Sequence, residues 1–355
     1  MTTPRERVLS AFSGQPSGWP LDMGACVVTG IPMELHRHLA PDAAPTLWAD
    51  EILNQAHPLQ EVADRVGSDV LRAGFVFDRK PLQLDEVRTD RFGTTWANFD
   101  GQSSTTQYPF AHLTTREILR HPKPDPNQLQ VAAPPPNTNH AILCDAPISS
   151  IFEQASRLRG YGKLQEDFAD NPRLVSVLLD YALEMALAWY QNLLSRLPVA
   201  PDLVLVAEDL GYQNSLAISP ELYRIFVKPR QRQLIRFIKR TSNARIVFHS
   251  CGAIWPILRD LCQLEIDALH IQPSAQNMHP AHLRQLIPRE MVLYGMLDMP
   301  VWLPSLVTKE QPAMARLFRY LEMCQPVIVG PTDLIAGGEA SDLTQGVTNL
   351  SKILK

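Results

Sequence analysis

The sequence contains few cysteines and glycines and no long apolar run. Its 5 cysteines are odd in number and widely scattered, which argues against a disulfide framework. The N-terminal residues lack the apolar core of a secretory signal peptide, so we expect a protein of the reducing cytoplasm. Because no run of about 18 apolar residues occurs, we expect neither a membrane-spanning helix nor a membrane partner.

An excess of charge of one sign is also absent. The 33 basic and 37 acidic side chains leave a formal net charge of -4, which predicts no nucleic-acid partner. A content of 45% hydrophobic and 20% charged residues is typical of globular proteins and excludes disordered and fibrous classes. The 355 residues are enough for one large domain or two of medium size.

Several short motifs of well-known enzymes are missing as well. G-x-S-x-G, H-E-x-x-H, C-x-x-C and Walker-type phosphate loops do not occur in the chain. No G-x-G-x-x-G opens a helix, and the chain has only 17 glycines, which disfavours a dinucleotide-binding fold.

What the sequence does contain is a series of alternating strand and helix patterns. Short aliphatic or β-branched segments predict eight strands: Trp19–Met23, Asp69–Phe75, Ala141–Asp145, Leu203–Ala207, Arg245–His249, Ala268–Gln272, Met291–Gly295 and Val327–Gly330. The clearest predicted helices are Asn171–Ser195, Pro220–Thr241, Ala253–Leu264 and Glu310–Cys324. Eight alternating units predict an α/β fold with parallel strands, a (β/α)8 barrel of the TIM type, rather than a doubly wound sheet of six strands.

One segment, at about residues 90–136, departs from this alternation. Its first part predicts a β-hairpin that turns at Asp100-Gly101, and its second part is a proline-rich connector. We interpret the segment as an insertion between the second and third barrel strands, within a single barrel domain that spans residues 1–355.

In such a barrel, function lies where strands end and the following loops begin. The polar or cysteine residues at these positions are Asp22, Cys26, Arg72, Asp145, Glu208, Asp209, His249, Cys251, His270, Gln272, Asp298, Thr332 and Asp333. Six of them are predicted to contact a small-molecule substrate: Asp22, Arg72, Asp145, Gln272, Asp298 and Thr332. For Arg72, a salt bridge at the barrel rim is the alternative to an anchor for an anion.

His249 and Cys251 form the most specific element, an H-x-C sequence at a predicted strand end. Residues two apart in an extended chain point to the same side, about 6.6 Å apart at a rise of about 3.3 Å per residue. An imidazole nitrogen and a thiolate in this arrangement can bind one zinc ion, at about 2.1 and 2.3 Å. The alternative is a buried cysteine beside a histidine bonded to the backbone, because two ligands alone do not make a zinc site.

Glu208 and Asp209 follow a strand of aliphatic residues. Adjacent residues of a strand point to opposite sides, so only one of the two carboxylates can face the barrel mouth. The inward one is predicted to bind a metal or to act as a general acid or base. The alternative is that Asp209 only accepts hydrogen bonds from loop amides.

An ordered series of motifs resembles the uroporphyrinogen decarboxylase superfamily, and most closely its corrinoid-linked methyltransferase branch. The motifs are Arg5–Val8, Asp90–Thr94, Arg159-Gly160, Glu208–Asn214, Ile218–Tyr223, Phe226–Pro229, His249–Gly252 and Ile271-Gln272. The resemblance implies a distorted (β/α)8 barrel and a zinc ion bound by His249 and Cys251. At the position of the branch's third ligand, a cysteine, this chain has Thr332, so Glu208 or Asp209 is expected to complete the metal site.

The resemblance also implies a function. We expect methyl transfer between a small substrate or thiol and a corrinoid carried in trans by a partner protein, with Asp209 and Glu208 as catalytic residues. One alternative is a metal-independent lyase that uses Asp22, Arg72 and Asp209 on a carboxylated substrate. However, the region 21–26 lacks the arginines with which true uroporphyrinogen decarboxylases hold substrate carboxylates. A second alternative is a non-catalytic barrel that binds a small molecule.

Overall fold

The computed structural model describes residues 2–14, 17–23, 31–41, 47–52, 55–57, 59–78, 82–99, 102–332 and 340–355. The strands are β1 Ile31–Pro32, β2 Gln55–Ala56, β3 Val70–Val76, β4 Val87–Thr89, β5 Thr95–Phe99, β6 Gln102–Gln107, β7 Gln130–Ala132, β8 Ala141–Cys144, β9 Leu203–Ala207, β10 Arg245–Ser250, β11 Ala268–Ile271, β12 Val292–Leu297 and β13 Val327–Pro331. The helices are α1 Pro4–Ser10, α2 Met33–Leu39, α3 Gln60–Val66, α4 Thr115–Arg120, α5 Ile151–Arg159, α6 Tyr161–Asp170, α7 Pro172–Arg196, α8 Pro220–Leu222, α9 Lys228–Thr241, α10 Leu258–Cys262, α11 Pro280–Leu286, α12 Met299–Thr308, α13 Gln311–Met323 and α14 Ala340–Leu354.

Seven parallel strands form the barrel wall in the order β3, β8, β9, β10, β11, β12 and β13. The predicted first strand, Trp19–Met23, is reduced to a single parallel bridge between Leu21 and Val329. This segment nevertheless joins the two ends of the sheet, because Asp22 N donates to Val329 O at 2.9 Å and Asp69 N donates to Leu21 O at 2.6 Å. The predicted α/β class and distorted (β/α)8 barrel are confirmed.

Prolines explain why two predicted helices are interrupted. A π turn over Tyr223–Val227 separates α8 from α9, directly before Pro229. Proline lacks an N–H and its ring crowds the carbonyl four residues earlier, so the regular helical hydrogen-bond pattern cannot continue through it. The prediction Ala253–Leu264 is similarly reduced to a 3-10 turn that contains Pro256, followed by the short helix α10.

The chain between β3 and β8 carries the predicted inserted structure. It contains the antiparallel sheet β4-β5-β6, the helix α4 and the short strand β7, which pairs antiparallel with β3. The small sheet therefore has three strands instead of the two of a hairpin, and β4 begins before residue 90. The predicted turn at Asp100-Gly101 lies outside the described residues.

The barrel interior is apolar at its lower end and polar at its upper end. Buried aliphatic side chains fill the lower part, and Val8 and Ala11 close it from below. Buried polar side chains follow toward the carboxyl ends of the strands, among them Asp22, Arg72, Asp145, His249 and His270. Buried polar groups need specific partners, so this upper layer is where a binding site is expected. None of the described helices has the length and apolar character needed to cross a membrane.

Candidate active site

His249 and Cys251 meet at the carboxyl end of β10, as their spacing predicts. The Cys251 sulfur lies 3.4 Å from His249 Nε2. Gly252 follows with φ +82°, and a Cβ there would lie 2.3 Å from the Gly211 carbonyl carbon. A glycine is therefore required for the chain to turn so close to the loop after β9.

Asp209 is the third member of this group. Its Oδ1 lies 3.6 Å from His249 Nε2 and accepts a hydrogen bond of 2.9 Å from Cys251 N. One ligand atom from each of Asp209, His249 and Cys251 lies within 4.8 Å of the others. Although burial opposes the carboxylate charge, the neighbouring His249 and the hydrogen bond from the Cys251 amide lower the pKa of Asp209 to about 2.

These three side chains fit a zinc ion in donor type and in spacing. Zinc takes imidazole nitrogen, thiolate sulfur and carboxylate oxygen in tetrahedral sites. Bond lengths of about 2.1 Å to nitrogen or oxygen and about 2.3 Å to sulfur place tetrahedral ligand atoms about 3.4 to 3.6 Å apart. The observed separations from His249 Nε2 are 3.4 Å to Cys251 Sγ and 3.6 Å to Asp209 Oδ1.

Glu208 does not belong to this group, which corrects its predicted roles as ligand and catalytic residue. It points to the opposite side of the strand end, where its Oε1 accepts from Phe152 N at the start of α5. Its Oε2 accepts a hydrogen bond of 2.5 Å from Gln231 Nε2 of α9. Burial raises the pKa of Glu208 to about 7. Glu208 thus links α5 and α9 to the end of β9 by hydrogen bonds. Asp209 is the carboxylate that faces the barrel mouth.

His270 is the hydrogen-bond partner of His249 on the neighbouring strand. The two residues are register partners on β11 and β10, and their Nδ1 atoms lie 2.6 Å apart. His270 Nε2 lies 3.2 Å from the carbonyl oxygen of Pro331, which can only accept, so this nitrogen carries a proton. Burial and the neighbouring His249 lower the pKa of His270 well below its usual range, so the ring is neutral. His249 Nδ1–H therefore donates to His270 Nδ1, and the lone pair of His249 Nε2 faces Cys251 and Asp209.

A cavity of about 390 Å³ opens above this group. Of the residues predicted from the sequence, Asp145, Asp209, His249, Cys251 and Thr332 line it. The Thr332 hydroxyl donates a hydrogen bond of 3.2 Å to Leu297 O. The opposite wall is contributed largely by the insertion and by α5, including Phe92, Trp96, Glu153 and Arg157.

Arg72 and Asp22 lie beneath the cavity in a buried charge network. Arg72 Nη1 contacts Asp145 Oδ1 at 2.6 Å, and Arg72 Nη2 contacts Asp22 Oδ2 at 2.9 Å. Tyr294 also donates to Asp22, at 2.7 Å. Burial opposes the guanidinium charge, but the two carboxylates outweigh it and raise the pKa of Arg72. The alternative of a salt bridge therefore describes the contacts of Arg72. Its predicted contact with an anionic substrate stays a prediction.

Two other predicted substrate contacts do not reach the cavity. Gln272 Oε1 accepts a hydrogen bond of 3.2 Å from Gly252 N and supports the turn after Cys251. Asp298 occupies the position before α12 and is not among the described residues that line the cavity. Cys26 and Asp333, which were also candidates, lie outside the described residues.

The sequence analysis did not predict two cavity-lining residues that lie outside the barrel strands, Glu153 and His57. Glu153 of α5 accepts from Asp209 N at 3.2 Å and pairs with Arg157 at 2.6 Å, and burial raises the pKa of Glu153. His57 follows β2, far from any predicted strand end, and it also lines the cavity. Neither residue stands in a recognisable motif, so only the helical spacing of Glu153 and Arg157 offered a signal.

Comparison with known families gives one matching family model. Residues 144–315 match the family described as uroporphyrinogen decarboxylase (URO-D). This part of the chain is similar to the uroporphyrinogen decarboxylase family. The matching URO-D segment includes Asp145, Asp209, His249 and Cys251, whereas Thr332 lies beyond it.

A solved structure shows that the likeness in fold extends over the whole chain. A structure described as "methyltransferase from Methanosarcina mazei" superposes with a TM-score of 0.63, over 99% of this chain and 99% of that chain. The two sequences are 16% identical, so the likeness establishes the shared fold. No curated protein matches this sequence.

Proposed function

We propose that the chain is a zinc-dependent methyltransferase that moves a methyl group between a small substrate or thiol and a corrinoid on a partner protein. The single observation that carries this proposal is the convergence of Asp209, His249 and Cys251 at spacings that suit tetrahedral zinc. The match of residues 144–315 to the URO-D family and the similar fold of a methyltransferase from Methanosarcina mazei support it.

In this proposal each residue has a defined task. Cys251 Sγ, His249 Nε2 and Asp209 Oδ1 would hold the ion, and the cavity beside them would receive the substrate. Bound Zn²⁺ supplies a Lewis acid that lowers the pKa of a substrate thiol or hydroxyl and makes it nucleophilic at neutral pH. His270 positions His249 through the contact between their Nδ1 atoms. Glu153 orients Asp209, because the Glu153 carboxylate accepts a hydrogen bond from the backbone N–H of Asp209.

The transfer balances without an added oxidant or reductant. In the direction of a thiol acceptor, the S–CH3 bond forms as the Co–CH3 bond of the methylated corrinoid breaks. The electron pair of the broken bond stays on cobalt, which becomes Co(I), and the thiol proton leaves to solvent. The reverse reaction methylates cobalt from a small methyl donor. Because we recognise no corrinoid-binding segment in the sequence, we assign the corrinoid to a partner protein.

The described charges disfavour the lyase alternative. Among the described residues that line the cavity, Arg157 is the one arginine or lysine, and it pairs with Glu153. A substrate that bears several carboxylates would meet Asp145, Asp209 and Glu153 with little compensation, and like charges at short range repel. The non-catalytic alternative is separated from the methyltransferase by the assay below.

The test measures bound metal and methyl transfer on the same preparation. Protein purified without chelator is expected to carry about one zinc per chain and to consume methylcobalamin in the presence of a panel of small thiols. Replacing His249 by alanine should abolish both properties, whereas the same change at the exposed His112 should leave both intact. If the wild-type protein still contains no zinc after incubation with excess zinc, the proposal is refuted. If the protein binds zinc but does not transfer the methyl group, the non-catalytic alternative, a barrel that binds a small molecule, is favoured.

A second prediction concerns His270 and the proton that it controls. Replacing His270 by phenylalanine is expected to weaken zinc binding about 10- to 100-fold, because the group that fixes the His249 tautomer is lost. Glutamine at position 270 should recover most of the affinity, since its amide can accept from His249 Nδ1 and donate to Pro331 O. Competition titration with a chromogenic zinc chelator measures both variants. Equal affinities in the two variants would mean that His270 only fills space.

A further inference from the structure

Two buried acceptor atoms at the inner wall of the cavity have no hydrogen-bond partner among the described residues. They are Asp145 Oδ2 and His57 Nδ1, in side chains that are 5% exposed. Both residues line the cavity, and the two atoms lie 3.9 Å apart, too far to bond to each other. Buried polar atoms are almost always hydrogen-bonded, so the pair indicates a ligand group that donates to both.

The protonation of His57 follows from its other nitrogen. His57 Nε2 lies 2.9 Å from Phe75 O, a carbonyl that can only accept, so Nε2 carries the proton. Burial lowers the pKa of His57, which keeps the ring neutral. His57 Nδ1 therefore presents a lone pair to the cavity, and the missing partner must be a donor.

The local charge specifies what kind of donor is needed. Among the described residues, Arg72 is the one cation that pairs with both Asp22 and Asp145, so these three groups carry a formal charge of about −1. Asp145 Oδ1 is already bonded to Arg72, which leaves Oδ2 for a ligand. Burial raises the pKa of Asp145 above its usual range, as expected where compensating positive charge is incomplete.

The backbone at Gly74 leaves room for this arrangement. A Cβ at residue 74 would lie 2.9 Å from His57 Cε1 and 3.3 Å from Asp145 Cβ. Both side chains therefore rest directly against the backbone of β3, and any larger residue would push them out of place. Phe75, Phe77, Phe92 and Trp96 add apolar wall to the same cavity.

From this geometry we infer that the inner wall of the cavity binds a protonated primary or secondary amine of the substrate, with one N–H donated to Asp145 Oδ2 and another to His57 Nδ1. The inference deepens the proposed function, because it names the class of small substrate that the methyl-transfer site receives. A quaternary ammonium has no N–H and a neutral alcohol has no charge, so each satisfies only part of the site. A site built to bond a donor rejects analogues that lack it.

Isothermal titration calorimetry with benzylamine, which is protonated at neutral pH, tests the inference on the full-length protein. Benzylamine is expected to bind at least about tenfold more tightly than benzyl alcohol or benzyltrimethylammonium. Asp145→Asn should weaken benzylamine binding at least about tenfold, whereas Asp260→Asn, at the distant pair with Lys228, should not. Equal affinity for the three probes, or an unchanged Asp145→Asn variant, would overturn the inference.

A second variant, Gly74→Ala, tests the same site in case Asp145→Asn does not fold. Gly74→Ala leaves every charge in place but presses on His57, so it should also weaken benzylamine binding about tenfold or more. Gly162→Ala, where nothing lies within 4 Å of the added Cβ, is the matched control. Zinc content measured on the same samples separates the two proposals. Zinc with no amine binding overturns only this inference, and amine binding with no zinc overturns only the proposed function.

Discussion

Replacing Cys251 by serine is expected to lower the zinc affinity of the protein by more than about 100-fold. Removing groups that merely orient a ligand already costs about 10- to 100-fold, and Cys251 supplies the sulfur itself. Serine keeps the size of the side chain, but its hydroxyl stays protonated near neutral pH and is a poor zinc ligand. The affinity is measured by competition with a chromogenic zinc chelator, and methyl transfer from methylcobalamin should fall in parallel.

Cys262 provides the matched control for this substitution. It lies at the end of α10, is half-buried, and is not part of the described group formed by Asp209, His249 and Cys251. Cys262→Ser should therefore leave zinc affinity within about threefold of the wild-type value. A Cys251→Ser variant that binds zinc as tightly as Cys262→Ser would remove the sulfur from the metal site.

Replacing Arg72 by methionine is expected to lower the free energy of unfolding by about 3 to 5 kcal/mol. The guanidinium lies buried between Asp22 and Asp145, at 2.9 and 2.6 Å. Methionine fills similar space but leaves two buried carboxylates without their cation, which is the costly way to break a buried ion pair. Urea denaturation followed by circular dichroism measures the change.

An exposed ion pair gives the contrast for this measurement. Arg5 contacts Asp202 at 2.8 Å, but its side chain is 55% exposed. Arg5→Met should therefore change the unfolding free energy by at most about 1 kcal/mol. If Arg72→Met is no more destabilising than Arg5→Met, the buried network does not contribute to stability as its geometry indicates.

The outcome for the barrel strands shows which features a sequence pattern can predict. The segment Leu203–Ala207 has the bounds that its aliphatic run predicts, and β10 extends the predicted strand by one residue. Both strands are buried over most of their length, so the aliphatic run of β9 and the apolar residues Ile246, Val247 and Phe248 of β10 are easily recognised. The length of the strand in Trp19–Met23 was harder to predict from the sequence. This segment forms a single described bridge, and its hydrogen bonds are made with the distant residues Val329 and Asp69.

Local spacing by itself determined the pairing of His249 with Cys251, since side chains two residues apart in a strand share a side whatever surrounds them. The same rule required Glu208 and Asp209 to face opposite sides but did not say which one faces inward. Only the tertiary structure decided this, because the direction of a side chain relative to the barrel axis depends on how β9 lies between β8 and β10. The contacts of His270 with His249 and of His57 with Asp145 were also decided there, since they join residues far apart in the chain through strand register and packing.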